Sequence, residues 1–141
     1  MPPRDTRTGA VLESIVLPAL AQGGYTFKKQ VTIGARPGGR NHKIDVLAED
    51  KAGRSYLISM KWQQVGGTAE QKVPFELICL IDIMIRQPER FHAAYLVLGG
   101  TGWSLRDFYI AGGLNEYITR TDLVTILDLE HFVAKANKGE L

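Results

Sequence analysis

Residues 44–63 read IDVLAEDKAGRSYLISMKWQ, and this stretch decides the fold. Apolar and polar side chains alternate on either side of a short polar break at residues 50–53, a pattern that predicts a β-hairpin. A three-residue hairpin loop places a glycine at its left-handed position, and Gly53 meets that requirement. With residues 51–53 as the loop, Asp50 stands opposite Arg54.

The same register assigns the side chains of the hairpin to the two faces of the sheet. Asp45 stands opposite Ser59 and Lys43 opposite Lys61, and side chains two residues apart share a face. We therefore expect Asp45, Ser59 and Lys61 to cluster on one face. A solvated sheet face with one cross-strand Asp–Lys pair is the plain alternative, and such pairs contribute little to stability. The apolar side chains are expected on the other face: Ile44, Val46, Ile58 and Met60.

The composition is that of an ordinary globular protein. The 141 residues, 45% hydrophobic and 23% charged, predict a single domain over residues 1–141. A net charge of +2 is compatible with a nucleic-acid partner but does not identify one. The lone Cys79 excludes an intrachain disulfide and indicates a buried thiol in a cytoplasmic protein. The longest apolar run, residues 77–85, is too short to span a membrane.

Helices and strands are expected to alternate along the rest of the chain. Strands are predicted over residues 25–33, 92–98 and 123–129, in addition to the hairpin. In the first of them, Tyr25, Phe27, Val31 and Ile33 are expected on one face. Four helices are predicted. The first covers residues 8–21, and Pro18 is expected to kink it or to end its first part near Leu17. The second covers residues 68–87, where Pro74 indicates a bend or a restart. The others cover residues 103–118, with an interruption near 112–113, and the chain from 128 or 129 onward. Crossovers through helices favour parallel pairing. The prediction is an α/β fold whose mixed sheet, the antiparallel hairpin plus parallel strands, has helices on both faces.

A basic loop at residues 34–43 reads GARPGGRNHK and carries Arg36, Arg40 and Lys43. Cations on a glycine-rich loop can contact the phosphates of a nucleic acid, and a solvated basic turn is the alternative. The sequence lacks a phosphate loop, a Gly-x-Ser-x-Gly elbow and a dinucleotide fingerprint. Its histidines have no zinc-ligand spacing with a cysteine pair.

One motif of this chain resembles the catalytic hairpin of the PD-(D/E)XK nuclease superfamily. It consists of Asp45, a turn, and then Ser59, Lys61 and Gln63 at the end of the next strand. That superfamily includes restriction enzymes, phage and mobile-element endonucleases and Holliday junction resolvases. The order of elements over roughly residues 9–129 also resembles its restriction-endonuclease-like core. The resemblance implies that Asp45 binds a divalent metal and that Lys61 helps to activate the attacking water. Gln63 is expected to orient the substrate.

Ser59 departs from the superfamily pattern, because Asp or Glu usually stands at that position. Some restriction enzymes of the superfamily carry Ser-x-Lys and supply the acid from the following helix. Glu76 matches that arrangement and lies in an apolar helix, where an unpaired charge is costly. Glu70, in the first turn, is explained by the helix dipole. Glu13 matches an acid that the superfamily often carries on its first helix, and it is expected to support the site or to bind a second metal.

The resemblance implies a Mg²⁺-dependent endonuclease that hydrolyses double-stranded DNA as a homodimer, with Mn²⁺ able to substitute. A hard cation suits this reaction, because it neutralises developing charge and lowers the pKa of a bound water. Arg36, Arg40, Lys43 and Ser59 are expected to contact the DNA. Three alternatives stay open: a structure-specific nuclease resembling Holliday junction resolvases, a catalytically inactive DNA-binding module with the same fold, and a structural partner in a larger assembly.

Overall fold

The structure, a computed structural model, describes residues 7–141. Its five strands form a mixed sheet in the order β1-β2-β3-β4-β5. The first three strands are antiparallel neighbours, and β4 and β5 continue the sheet in parallel with β3. The predicted fold class is confirmed. The strands are β1 Thr26–Ala35, β2 Asn41–Glu49, β3 Ser55–Trp62, β4 Ala93–Gly99 and β5 Val124–Asp128.

Five α-helices accompany the sheet within residues 7–141. The central one is α3, which begins beside Pro74 after a short 3₁₀ turn at Ala69–Lys72, so of the bend and the restart expected there the structure has the restart. Proline suits the start of a helix because the first N–H groups have no partner there. None of these helices combines the length and apolarity that a membrane span needs. The helices are α1 Arg7–Val11, α2 Leu17–Gln22, α3 Val73–Arg86, α4 Arg106–Ile110 and α5 Leu129–Asn137.

The first helical stretch contains a π-helical segment where a kink at Pro18 was predicted. Leu12–Val16 joins α1 to α2, and the N–H of Leu17 reaches back five residues to the carbonyl of Leu12. In a regular α-helix the ring of Pro18 would clash with the carbonyl four residues earlier. The wider π-turn accommodates the proline without ending the helical path.

Two apolar cores lie on opposite faces of the sheet. Side chains of α1, α2 and α5 pack with Tyr56 and Ile58 in the first core, and α3 packs with Leu57 and Leu96 in the second. β3 and β4 contribute alternate side chains to both cores, which explains their nearly continuous apolar sequences. Each fully buried aliphatic side chain stabilises the fold by roughly 1.5–3 kcal/mol. Cys79 is buried, as predicted, and its thiol is free.

The hairpin has the predicted register. Val46 pairs with Ile58, and the backbone N–H of Asp50 donates to the carbonyl of Arg54 at 3.0 Å. The ladder between β2 and β3 ends at Val46, so two predicted pairings are wrong. They are Asp45 with Ser59 and Lys43 with Lys61.

The side-chain alternation changes face at Gln30 on β1 and at Asp45 on β2. Gln30 has a φ of 52°, a left-handed conformation that reverses the alternation of β1. As a result, Ile44 lies in the second core whereas Val46 lies in the first. The predicted single face for Tyr25, Phe27, Val31 and Ile33 is wrong for the same reason: the first two pack in the first core, and the last two in the second. Asp45 thus lies where the hairpin switches sides.

Candidate active site

Glu76 is the centre of a polar cluster at the end of β3. The hydroxyl of Ser59 donates to Oε1 of Glu76 at 2.8 Å, and Nζ of Lys61 lies 4.0 Å from Oε2. Ser59 and Lys61 share one face of β3, and Glu76 projects from the first turn of α3, which packs against that face. The packing of one helix on one strand therefore brings a carboxylate from the helix to the Ser-x-Lys sequence.

Asp45 lies beside this cluster, at the point where β2 leaves β3. Its Oδ2 accepts the backbone N–H of Met60 at 2.8 Å, so the carboxylate satisfies an amide beyond the end of the strand ladder. Nε2 of Gln30 donates to Oδ1 at 3.4 Å. Burial raises the pKa of Asp45 above its ordinary value; the charge of Glu76 raises it further, whereas the Met60 N–H, Lys61 and Gln30 lower it. Lys61 thus lowers the pKa of both Asp45 and Glu76.

The pKa of Glu76 moves in the opposite direction. Burial alone would raise the pKa of this carboxyl, but His42, Lys61 and Ser59 together lower it below its ordinary value. Its position in the first turn of α3 acts in the same direction, because the N-terminus of a helix favours an anion. Glu76 is therefore an ionised carboxylate held among donors and a cation, with its side chain 18% exposed.

Four cations approach the same place. Arg36, Arg40 and Lys43 line a cleft of about 710 Å³ together with Lys61 and Glu76. The basic loop turns tightly, with the Arg36 N–H donating to the Arg40 carbonyl at 2.8 Å. The guanidinium of Arg36 lies 5.7 Å from the centre of the Phe75 ring, so the loop is attached to α3 beside Glu76. The predicted phosphate-binding residues and the predicted catalytic lysine thus share one cleft.

Two residues predicted for the site have other roles. Ser59 is 3% exposed and bonded to Glu76, so it supports the acid and does not face DNA. Gln63 is 4% exposed, and both the oxygen and the nitrogen of its side-chain amide are bonded inside the protein. It donates to the Gly102 carbonyl at 2.7 Å and accepts the Glu70 N–H at 3.0 Å. Gln63 therefore fixes the path of the chain from β3 to α3 and is unavailable for substrate.

Glu13 is directed elsewhere. It is exposed, and its carboxylate pairs with Lys29 of β1. Across residues 9–141, whose side chains are described, no hydrogen bond or ion pair joins it to Asp45, Lys61 or Glu76. Glu70 is used structurally, because its carboxylate accepts the N–H groups of Ser104 and Leu105 at 2.9 and 3.1 Å. Of the acids considered from the sequence, Glu76 is the one that contacts Ser59 and Lys61.

His42 belongs to the cluster and was not predicted. It lies on β2, is 4% exposed, and its Nε2 is 3.6 Å from Oε1 of Glu76. Its neighbour Lys43 is exposed, so buried and exposed side chains alternate in this part of β2. In the sequence, a histidine in a basic loop gave no sign of burial. The only available signal of its burial was that His42 directly precedes the alternating Lys-Ile-Asp-Val sequence of β2.

The donor set fits a hard divalent cation. Two carboxylates, Asp45 and Glu76, approach from different elements, and oxygen is the ligand that Mg²⁺ and Mn²⁺ prefer. In the described part of the chain, no group of three or more His, Cys, Asp and Glu side chains could hold a metal. Mg²⁺ typically keeps several waters and uses only one or two carboxylates plus substrate phosphates, so two protein carboxylates suffice.

Comparison with known families agrees with the fold. A family model described as a PD-(D/E)XK nuclease superfamily domain matches residues 4–140. The chain therefore belongs to the PD-(D/E)XK nuclease superfamily. No curated protein matches the sequence.

The fold is shared with a solved structure of low sequence identity. An XisH family protein from Nostoc punctiforme is 23% identical, with a TM-score of 0.55 over 86% of this chain and 94% of that one. A protein of unknown function is 15% identical over 82% of this chain and 55% of that one, with a TM-score of 0.46. A repair endonuclease from Pyrococcus abyssi is 12% identical over 91% and 47%, with a TM-score of 0.42. The chain thus spans about half the length of the last two proteins.

Proposed function

We propose that this protein is a divalent-metal-dependent endonuclease that hydrolyses phosphodiester bonds in double-stranded DNA. The main support is the meeting of Glu76 with Ser59 and Lys61 in a cleft lined by arginines. Glu76, a carboxylate suited to a hard cation, lines the same cleft as cations suited to phosphates, and its charge raises the pKa of the nearby Asp45. Membership of a nuclease superfamily supports the same chemistry.

The proposal assigns each residue a separate task. Asp45 and Glu76 hold Mg²⁺ or Mn²⁺, with water and phosphate oxygens completing the ligand set. When bound, the ion supplies Lewis acidity and lowers the pKa of a coordinated water. Lys61 donates hydrogen bonds to the attacking water or to a phosphate oxygen, and its charge stabilises the transition state. Ser59 holds the carboxylate of Glu76.

The arginines of the loop position the substrate. Arg36 and Arg40 contact phosphates on either side of the bond that is cut, since both line the cleft that contains Lys61. A guanidinium binds two phosphate oxygens at once, which fixes orientation as well as charge. Lys43 adds a third cation at the same edge.

The working form is proposed to be a homodimer. Large apolar side chains remain exposed along α3, at Phe75, Ile78 and Ile85, and Tyr117 is 75% exposed. A second copy covering this face would remove these side chains from water and bring two clefts together for two strands. Sedimentation of the Ile85→Glu variant should give a monomer. Ile15→Glu changes an equally sized residue on the α1–α2 side, and it should leave the dimer intact.

The decisive experiment is incubation with supercoiled plasmid in Mg²⁺, Mn²⁺, Ca²⁺ or EDTA. Nicked or linear product is expected with Mg²⁺ or Mn²⁺, little with Ca²⁺ and none with EDTA. Asp45→Ala, Lys61→Ala and Glu76→Gln should each abolish cleavage. Asp82→Asn changes a partly buried acid on the same helix that pairs with Arg86, and Glu70→Gln changes an acid of the preceding turn; both should keep cleaving. Undiminished cleavage by Asp45→Ala or Lys61→Ala would exclude this site.

Two further measurements, cleavage of four-way junctions and binding of duplex DNA, separate the alternatives. A preference for four-way junctions over linear duplex would indicate a structure-specific nuclease. Tight binding of duplex DNA with no cleavage under any metal would indicate a DNA-binding module that kept the fold. Absence of both binding and cleavage would leave a structural partner role.

A further inference from the structure

The imidazole of His42 is buried without a hydrogen bond. It is 4% exposed, and neither Nδ1 nor Nε2 has a partner among the described residues. Leaving a buried polar group unsatisfied costs about 1–3 kcal/mol. Such groups are rare in native proteins, and each one calls for a physical account such as a functional role or a water or ion.

The unpaired nitrogen faces a functional oxygen. Nε2 lies 3.6 Å from Oε1 of Glu76, the same oxygen that accepts the Ser59 hydroxyl at 2.8 Å. A carboxylate oxygen has two lone pairs, so Oε1 can accept from both donors. The imidazole also lines the cleft that contains Lys61. A displacement of well under 1 Å would bring Nε2 to ordinary hydrogen-bond distance of roughly 2.7–3.2 Å.

We propose that His42 is a positioning residue for Glu76, whose Nε2–H donates to Oε1 and, with Ser59, holds that oxygen inside the protein. Oε2 is then turned toward Lys61 and is the oxygen available to a metal. Donors behind a ligating carboxylate restrict its orientation before the metal arrives, so less conformational freedom is lost on binding. The inference rests on the proposed function in one respect, namely that Glu76 is a metal ligand.

Mn²⁺ binding to the full-length chain, measured by calorimetry in the absence of DNA, tests the proposal independently of activity. His42→Leu removes the donor, and it should weaken Mn²⁺ binding by about 10–100-fold. His42→Gln places an amide N–H near the position of Nε2, and it should recover most of the affinity. His42→Leu also removes a hydrogen bond to a charged oxygen, so its melting temperature should fall modestly. A merely structural histidine would leave Mn²⁺ affinity unchanged.

A double-mutant cycle locates the effect. In a Glu76→Gln background, His42→Leu should cause no further loss of Mn²⁺ affinity, because the two residues act through one oxygen. The same loss in both backgrounds would overturn the route through Glu76. Unchanged affinity in His42→Leu, with weakened binding in Glu76→Gln, would overturn the role of His42 alone. Unchanged affinity in Glu76→Gln would instead overturn the metal site of the proposed function.

Two controls complete the design. His131→Leu removes an exposed histidine from α5, and Mn²⁺ affinity should not change. If His42→Leu does not fold, His42→Phe keeps a ring without a donor and carries the same expectation. Equal affinity of wild type and His42→Phe would then reject the proposal.

Discussion

The hydroxyl of Ser59 donates a 2.8 Å hydrogen bond to Oε1 of Glu76, a residue 17 positions later in the chain. β3 presents a hydroxyl where the superfamily usually has an acid, and α3 brings a carboxylate to the same point. The two features are complementary, because a second carboxylate at position 59 would lie against Glu76 and repel it. Ser59 and Glu76 therefore form a unit of one donor and one acid.

Removing the donor should weaken the metal site without unfolding the protein. Ser59→Ala leaves Glu76 with one fewer hydrogen bond, and we expect a loss of about 10–100-fold in Mn²⁺ affinity. Ser104→Ala is a matched control, because Ser104 makes a similar 2.8 Å bond to Glu70 outside the cleft. Calorimetric titration of both variants provides the comparison. Equal affinities of Ser59→Ala and wild type would show that Glu76 needs no support from β3.

Asp45 should reduce stability at neutral pH. Burial raises its pKa above the ordinary value of 3.8, so the native state holds the proton longer than the unfolded state as the pH rises. Stability from this group therefore falls as the pH rises through the interval between the two pKa values, and the penalty persists above it. Asp45→Asn should melt at a higher temperature than wild type at neutral pH. The difference should shrink as the pH falls below 3.8.

Asp50 should behave in the opposite way. Burial alone would raise its pKa, but hydrogen bonds from Arg54, Tyr56 and Ala52 lower the pKa to about 2. Its stabilisation is complete above the ordinary value of 3.8 and is lost as the pH falls toward about 2. Asp50→Asn should lower the melting temperature at neutral pH, with the gap to wild type closing in acid. A change in melting temperature of the same sign for the Asp45 and Asp50 variants would contradict one of the two assignments.

Gln30 should combine backbone strain with a role at the site. Its φ of 52° favours glycine, and its amide lies 3.4 Å from Asp45. Gln30→Gly relieves a strain of about 1 kcal/mol or more, so stability should hold or rise while Mn²⁺ affinity and cleavage fall. Gln30→Ala keeps the strain and removes the amide, so it should lose function without the gain in stability. Full metal affinity in Gln30→Gly would leave the amide without a role.

Arg36 and Arg40 should control the salt dependence of DNA binding. Each phosphate contact contributes about 0.9 to the slope of log K against log salt concentration, so the double Arg→Ala variant should lower that slope by roughly 2. Lys135 and Lys138 near the end of α5 provide a control pair, since α5 packs on the opposite face of the sheet from α3. Fluorescence anisotropy across a salt series gives the slopes. An unchanged slope in the arginine variant would indicate that the loop is a surface turn that makes no phosphate contacts.

The sequence by itself determined the local features of this protein. Alternation with a period of two and a glycine in the loop set the register of the β2–β3 hairpin, because strand pairing and turn geometry depend on neighbouring residues. Pro74 indicated a bend or a restart in the predicted helix, because a proline lacks the N–H that a helix interior needs. The mixed α/β sheet followed from the order of these elements. Asp45 and Lys61 were named from the motif for the same reason, since both stand on the hairpin.

Only the tertiary structure decided which acid meets Lys61 and what surrounds it. Glu13 and Glu76 were both candidates, and the packing of α3 on β3 brings Glu76 to Ser59 while Glu13 pairs with Lys29. Gln30 of β1 has a left-handed backbone, and on the paired strand β2 Ile44 and Val46 pack in opposite cores, against the regular alternation of a strand. Burial of His42 and the internal bonds of Gln63 also depend on residues distant in sequence. These contacts are made through space between separate elements, so the periodicity of the sequence does not predict them.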